Sequence, residues 1–462
     1  MSYTTIDNPE LFFQTILWTG NGSSSRSITL DGSEDMQPDW TWIKSRTGSE
    51  STQQHYLYDS VRGATKYLQS STNNAEGTKS NGLSAFASDG FTVGDDNANN
   101  ASSTTYTSWN WSASGSAPAI TYSVKVVSDS GNKYRFDDFG TSAVTLDLQE
   151  GGTYTFDQSD SSNSGHPLRF YTASDKSGGE YTTGVTTTGT AGSSGAKTVI
   201  TVAASAPTLY YQCSNHAGMG GQANTNSTFG SSNFGGSIQS TVSVNTTAGF
   251  SIVNYTGTGS NATVGHGLGV PKIIIVKNRD GGTDNWAVYH EELGANNWLK
   301  LNTNDASATD TVMWNNTSPT SSVFSVGTYT NSNGNSNGML AYCFADVKGY
   351  SKFGKYTGNG NADGTYVHLG FRPAWIMIKR SDSSGHWFIH DNKRVTFNVD
   401  NKYLAADDAS AEQTFTALDM LSNGFKLRST GVGYNTSSGT FTYYAFAESP
   451  FVNSNGVPNN AR

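Results

Sequence analysis

The side chains best suited to chemistry lie in one short stretch, Cys213-Ser214-Asn215-His216-Ala217-Gly218-Met219, with a further imidazole upstream in Gly165-His166-Pro167. Thiolate, imidazole and thioether groups are ligands for soft and borderline transition metals, so the pattern invites a metal reading. Each residue also has a plain structural use. Cys213 serves equally as a buried thiol, His166 and His216 as hydrogen-bonding groups at turns, and Met219 as a gap filler. Other candidates are thin. The acid pairs Asp95-Asp96 and Asp407-Asp408 are neighbours on loops, whereas glycosidase carboxylates flank the scissile bond from separate strands. The chain carries no Ser-His-Asp spacing, nucleophile elbow or HExxH, so it is read as non-enzymatic, with no catalytic residues.

The elements that must position these residues are strands. Charged residues make up only 14% of the chain while Gly alone counts 51, a balance suited to short strands joined by many turns. Alternating aromatic runs such as Trp40-Thr41-Trp42-Ile43 and Tyr106 to Trp111 suit half-buried strands. A net charge of -9 with scattered Lys and Arg argues against a nucleic-acid partner, which needs a basic face. No apolar run approaches the roughly 20 residues that span a bilayer, so membrane insertion is not expected. The polar start Met1 to Glu10 has neither the basic nor the apolar region of a secretory signal, which implies synthesis in a host cytoplasm. Two cysteines, Cys213 and Cys343, cannot form a disulfide framework.

An internal repeat organises the chain. Trp18-Thr19-Gly20-Asn21-Gly22 recurs as Tyr255-Thr256-Gly257-Thr258-Gly259 and as Tyr356-Thr357-Gly358-Asn359-Gly360. Each turn is followed by a proline and a strand that closes on lysine: Pro38 to Lys44, Pro271 to Lys277, and Pro373 to Lys379. A second strand follows, and each copy ends on an aromatic one: Tyr106 to Trp111, Met339 to Phe344, and Phe441 to Phe446. The expected fold is all-β and multidomain, with three related β-sandwich or jelly-roll-like modules at residues 1–117, 246–348 and 349–462. They are expected to pack as independent lobes. The strand-end lysines read as a solvated edge, and the charged tips Asp59 with Arg62 and Asp391 with Lys393 and Arg394 as solvated loops. His290 and His390 read as equivalent polar strand ends, matching Asp59 in the first copy.

The first copy, with "MSYTTIDNPELFFQTILWTGNG", "DWTWIKSR", "YDSVRGATKYLQSS", "SDGFTVG" and "YTSWNWSA", resembles a domain recurrent in virion structural proteins of marine phages, particularly those of cyanobacteria. The resemblance implies a virion surface protein such as a tail fibre, knob or capsid decoration. Its implied partners are other virion proteins, a host cell-surface glycan or protein receptor, and further copies of itself, in a homo-oligomer such as a trimer. Residues 118–245 follow other rules, and the stretch around Cys213 with His166 resembles the cupredoxin (blue-copper) family. That resemblance implies a Greek-key β-sandwich and a copper ion held by His166, Cys213 and His216, with Met219 as the weak axial ligand. Two rival readings remain beside the virion one: a carbohydrate-binding adhesin and a copper-binding redox protein.

Overall fold

The computed structural model describes residues 4–47, 53–113, 117–225 and 230–460. Met1, Ser2 and Tyr3, which open the phage-like stretch, lie outside them. The chain is almost entirely β: its two described α-helical turns, Asn97–Asn100 and Thr330–Asn333, are four residues each. Each repeat is built on four antiparallel strands in which the last lies between the first and the second, with the third outside the second. In the first repeat these are Phe13–Thr19, Thr105–Trp111, Trp40–Ser45 and Tyr56–Asp59. The second uses Phe250–Thr256, Gly338–Phe344, Ile273–Asn278 and Ala287–His290. The third uses Ser351–Thr357, Thr440–Pro450, Phe371–Arg380 and Trp387–Asp391.

The repeated aromatic-Thr-Gly-x-Gly turn is fixed by a buried asparagine that spacing did not single out. Asn100, Asn333 and Asn435 are each fully buried, and the side-chain oxygen of each accepts from the backbone N–H of Asn21, Thr258 or Asn359 in the turn. Their amide nitrogens donate onward to the carbonyls of Ser23, Ser260 and Asn361. The first glycine is required by close approach, since a Cβ on Gly20, Gly257 or Gly358 would sit 2.0 to 2.2 Å from a carbonyl oxygen. The last glycine is left-handed, at φ +69° in Gly22, +65° in Gly259 and +67° in Gly360.

The expectation of independent lobes is overturned. Each central sheet has two apolar faces, one closing its own sandwich and the other turned toward the other two repeats. Ile43, Ile274 and Ile376 serve the separate cores. Trp40, Trp42, Trp109, Trp111, Ile273, Ile275, Tyr342, Phe344, Trp375, Met377, Tyr444 and Phe446 share one cluster. The strands are buried on both faces, which is why alternating Trp-Thr-Trp-Ile reads correctly as strand yet conceals the second interface. Ring contacts cross every seam: Trp40 stacks on Tyr342 at 4.3 Å, His290 meets Tyr444 edge-on at 5.3 Å, and Trp111 meets Trp375 at 5.6 Å. The three repeats close a ring with approximate threefold symmetry.

The strand-end lysines are corrected with it. Lys44, Lys277 and Lys379 are fully buried, and each reaches across a seam. Lys44 donates to the Ala409 carbonyl of the third repeat at 3.0 Å, and Lys277 to the Asn73 carbonyl of the first at 3.0 Å. Lys379 donates to the Asn304 and Asp305 carbonyls of the second at 3.3 and 2.6 Å. Burial pushes all three ammonium groups down to about 8. The charged tips are interior as well. The Asp59–Arg62 and Asp391–Arg394 side chains are wholly inaccessible, and each pair bonds across a seam, Asp59 to the Tyr342 hydroxyl and Asp391 to the Trp109 indole N–H. Outside them, Glu76 joins Arg62 to Arg279, and Glu412 joins Arg394 to Arg46. At the matching place the third seam has Ser307, whose backbone N–H and hydroxyl both donate to the Ser381 carbonyl at 2.9 Å.

Strand register also corrects the histidine equivalence. Asp59, His290 and Asp391 pair with Trp40, Ile273 and Trp375, so His290 matches Asp391, and His390 stands one place earlier. Burial pushes His290 down to about 3. The folded state keeps it neutral while the unfolded chain takes up a proton near pH 6.5, so this contribution to stability is lost as pH falls from there toward 3. Between pH 7 and 4.5 the loss is about 2 to 3 kcal/mol at roughly 1.4 kcal/mol per unit. Urea unfolding at the two pH values measures it, and His290→Gln is expected to narrow the difference; unchanged pH sensitivity in that variant contradicts the assignment.

Between the first two repeats stands a two-sheet sandwich with its own apolar cluster. One sheet runs Asn132–Phe136, Ala119–Ser128, Thr153–Asp157, Lys197–Thr201, Val185–Thr188; the other Leu146–Asp147, Gln222–Asn224, Leu209–Cys213, Leu168–Tyr171. Two parallel pairings, Ala119–Ser128 with Thr153–Asp157 and Leu146–Asp147 with Gln222–Asn224, set it apart from the antiparallel repeats. Its exit strands, Ser231–Asn233 and Ser240–Asn245, extend the main sheet of the second repeat.

Candidate metal centre

Cys213 ends the strand Leu209–Cys213, whose antiparallel neighbour Leu168–Tyr171 places Leu168 opposite Cys213. His166, two residues before Leu168, is therefore delivered beside the thiol. Pairing continues past the strand end through a bond from the Ser214 N–H to the Pro167 carbonyl at 3.0 Å. The chain then turns at Gly218, φ +70°, and returns through Gly220, where a Cβ would lie 1.6 Å from the Tyr211 carbonyl oxygen. This tight return holds the Cys213–Met219 loop down against the sandwich end.

The structure brings three of the four candidates together. The Cys213 Sγ lies 3.8 Å from His166 Nδ1 and 3.5 Å from His216 Nδ1, and the three ligand atoms are all within 4.8 Å of one another. The imidazole rings are 4.6 Å apart. An ion about 2.3 Å from sulfur and about 2.0 Å from nitrogen in a trigonal set would hold sulfur and nitrogen about 3.7 Å apart, and both sulfur–nitrogen distances lie close to that value. Met219, the fourth, is 1% exposed in the cluster beneath the loop. Cys213 is buried, His166 half-buried and His216 exposed, so the centre has one wall open to solvent. Among the described residues this is the one group of three or more His, Cys, Asp and Glu side chains placed to share an ion.

Groups around the centre hold the backbone of the ligands. The His166 carbonyl accepts from the Tyr134 hydroxyl at 2.8 Å and from Gln158 Nε2 at 2.9 Å, while Gln158 Oε1 accepts from the Leu168 N–H. Lys176 donates to the Cys213 and Ser214 carbonyls, Asn215 to the Gly165 carbonyl, and Asn132 Nδ2 lies 3.5 Å from His166 Nε2. Burial, and then the neighbouring His216, lower the His166 imidazole below its ordinary range. Burial, and then the Cys213 sulfur, raise the Tyr134 phenol. A lowered His166 favours the neutral imidazole that binds a metal. Asn132 and Tyr134, from the strand Asn132–Phe136, and Gln158 and Lys176, from two separate turns, have no motif in the sequence that ties them to the ligands.

Among the described residues no helix is long and apolar enough to cross a membrane. Comparison with curated proteins and with solved structures gives no match. A family model, Domain of unknown function (DUF7483), matches residues 8–137 and 214–450. The intervening stretch, which carries His166 and Cys213, lies outside the match, whereas His216 and Met219 lie inside it. The matched segments span all three repeats and well over half of the sequence, and the chain belongs to the DUF7483 family.

Proposed function

We propose that the chain is a non-enzymatic structural protein of a virus-particle surface, acting by assembly and by attachment to a host receptor. The observation that carries this reading is the closed ring of three repeats, welded by a shared aromatic core and by buried lysines. A body of that kind is rigid, and its approximate threefold form suits a seat at a symmetric position of a shell or fibre. The resemblance of the first repeat to phage virion domains points the same way. Density mapping of whole particles tests it: the chain is expected in an outer layer, and particles that lack it altogether sink the reading.

A second reading concerns the inserted sandwich alone and is favoured by the convergence of His166, Cys213 and His216. It is a cupredoxin-like domain that binds copper, with Met219 as a weak axial ligand. Copper there would supply one-electron chemistry or a cross-link that stabilises the domain; the chain's own residues bind it, orient the imidazoles and shield the thiolate. Protein loaded with Cu(II) is expected to show an intense blue thiolate band and a raised melting temperature of the sandwich. Cys213→Ser is expected to abolish the band, and a colourless wild-type protein that gains no stability with Cu(II) removes this reading.

A further inference from the structure

The third repeat rebuilds an aromatic place that holds a lysine in the first: Lys66 pairs with Thr78 and Lys402 with Thr414, so the ring of Phe415 stands where Lys79 does. Matching positions follow from the buried asparagines: the N–H of Asn100, Asn333 and Asn435 bonds to the carbonyl four residues earlier, of Asp96, Tyr329 and Gly431. In the first repeat the Lys79 ammonium bonds to Asp96 at 2.9 Å and lies 4.8 Å above the Tyr56 ring and 5.4 Å above Tyr67. In the second, Tyr329 itself covers Trp298, the counterpart of Tyr67, at 6.0 Å. In the third the corresponding residue is Gly431, against which the Phe415 ring packs, and beside that ring lies an open cavity of about 200 Å³ lined by Phe388, Tyr403, Phe415, Val432, Gly433 and Tyr434.

Four rings frame it. Phe388 stacks on Tyr434 at 4.3 Å, Phe415 stacks on the same tyrosine at 5.5 Å, and Tyr403 stands at 89° to Phe388. Phe415 and Val432 are 38% and 64% exposed, so the mouth is open. The charges nearby are mostly paired or negative. Arg380 is neutralised by Asp382, His386 by Asp407, and Asp408 lies close enough to Tyr403 to add to burial in raising its phenol.

We propose that this slot binds an organic ammonium ion, held against aromatic faces as Lys79 is held in the first repeat. The chemistry is cation–π attraction in a partly desolvated box, which a lysine side chain of another protein and a quaternary amine both supply. The site rests on neither functional reading above.

Saturation-transfer NMR on the full chain, with tetramethylammonium, choline and Nα-acetyl-lysine amide as probes, tests it. Saturation and upfield shift of the probe's methyl or ε-methylene protons are expected, and the ranking of the three tells an alkylated amine from a lysine. Phe415→Ala, at an exposed ring, is expected to weaken binding by about tenfold. Val432→Asp is expected to tighten and Val432→Lys to weaken it, a sign reversal that a neutral ligand would not show. No transfer to any cation, equal binding by all variants, or binding of a neutral methyl pyranoside in place of the cations overturns the proposal.

Discussion

Asp391→Ala is expected to destabilise the protein by about 3 to 5 kcal/mol, because it strands the Arg394 guanidinium in the interior. Asp391 is 1% exposed and accepts from Arg394 Nε, from the Arg394 N–H at 2.8 Å and, across the seam, from Trp109 Nε1 at 2.9 Å. Arg394 is held on its far side by the Ile389 carbonyl at 2.8 Å. Truncating the acid leaves the indole N–H without a partner and the guanidinium with only the Ile389 carbonyl and the more distant Glu412 carboxylate, where water does not reach. Removing both members of the pair behaves differently. Asp391→Ala with Arg394→Met is expected to recover much of the loss, since the buried guanidinium goes with its acid. Urea midpoints for both singles and the double complete a mutant cycle. If Asp391→Ala costs as much in the Arg394→Met background as in the wild type, the pair is not what holds this seam.

The second large effect is at the centre of the ring. Trp40→Ala is expected to cost about 3 to 5 kcal/mol as a buried large-to-small change. Its ring lies 4.4 Å from Trp111 in its own repeat and 4.3 Å from Tyr342 in the next, so the cavity opens on an interface. Trp40→Phe is expected to cost much less, because the Trp40 indole nitrogen has no hydrogen-bond partner and only ring area is lost. The form of the transition is as telling as its size. With one shared cluster, the substitution lowers the unfolding temperature of all three repeats together. Calorimetry that shows the first repeat melting alone, with the other two unmoved, contradicts a common core.

The repeats were readable because their turns and strand ends recur residue for residue, and the metal candidates because Cys213, His216 and Met219 are contiguous. What escaped the sequence has a physical reason in each case. A lysine closing an apolar strand looks the same whether its ammonium meets water or a neighbour's carbonyls, so Lys44, Lys277 and Lys379 read as a solvated edge. Asp59–Arg62 and Asp391–Arg394 looked like loop charges because burial of a neutralised pair leaves no trace in composition. Asn100, Asn333 and Asn435 did leave one, a third recurring position 75 to 79 residues after the turn residue each one holds. It was overlooked because a single polar residue in a turn-rich chain has no periodicity to mark it. Around the metal candidates, the groups that steady His166 were hidden for the opposite reason: they are close in space and scattered along the chain.

Because the ring is closed within a single polypeptide, its three sectors are free to diverge, and they have done so. Two seams carry a glutamate between two arginines and the third a single Lys355–Glu292 pair, and one sector puts a further ring where another keeps a lysine. The extra sandwich is grafted at one point of the circumference. A homotrimer of one repeat would display three of everything; this arrangement delivers a single off-centre appendage per body, so whatever that appendage holds is present once and faces one direction.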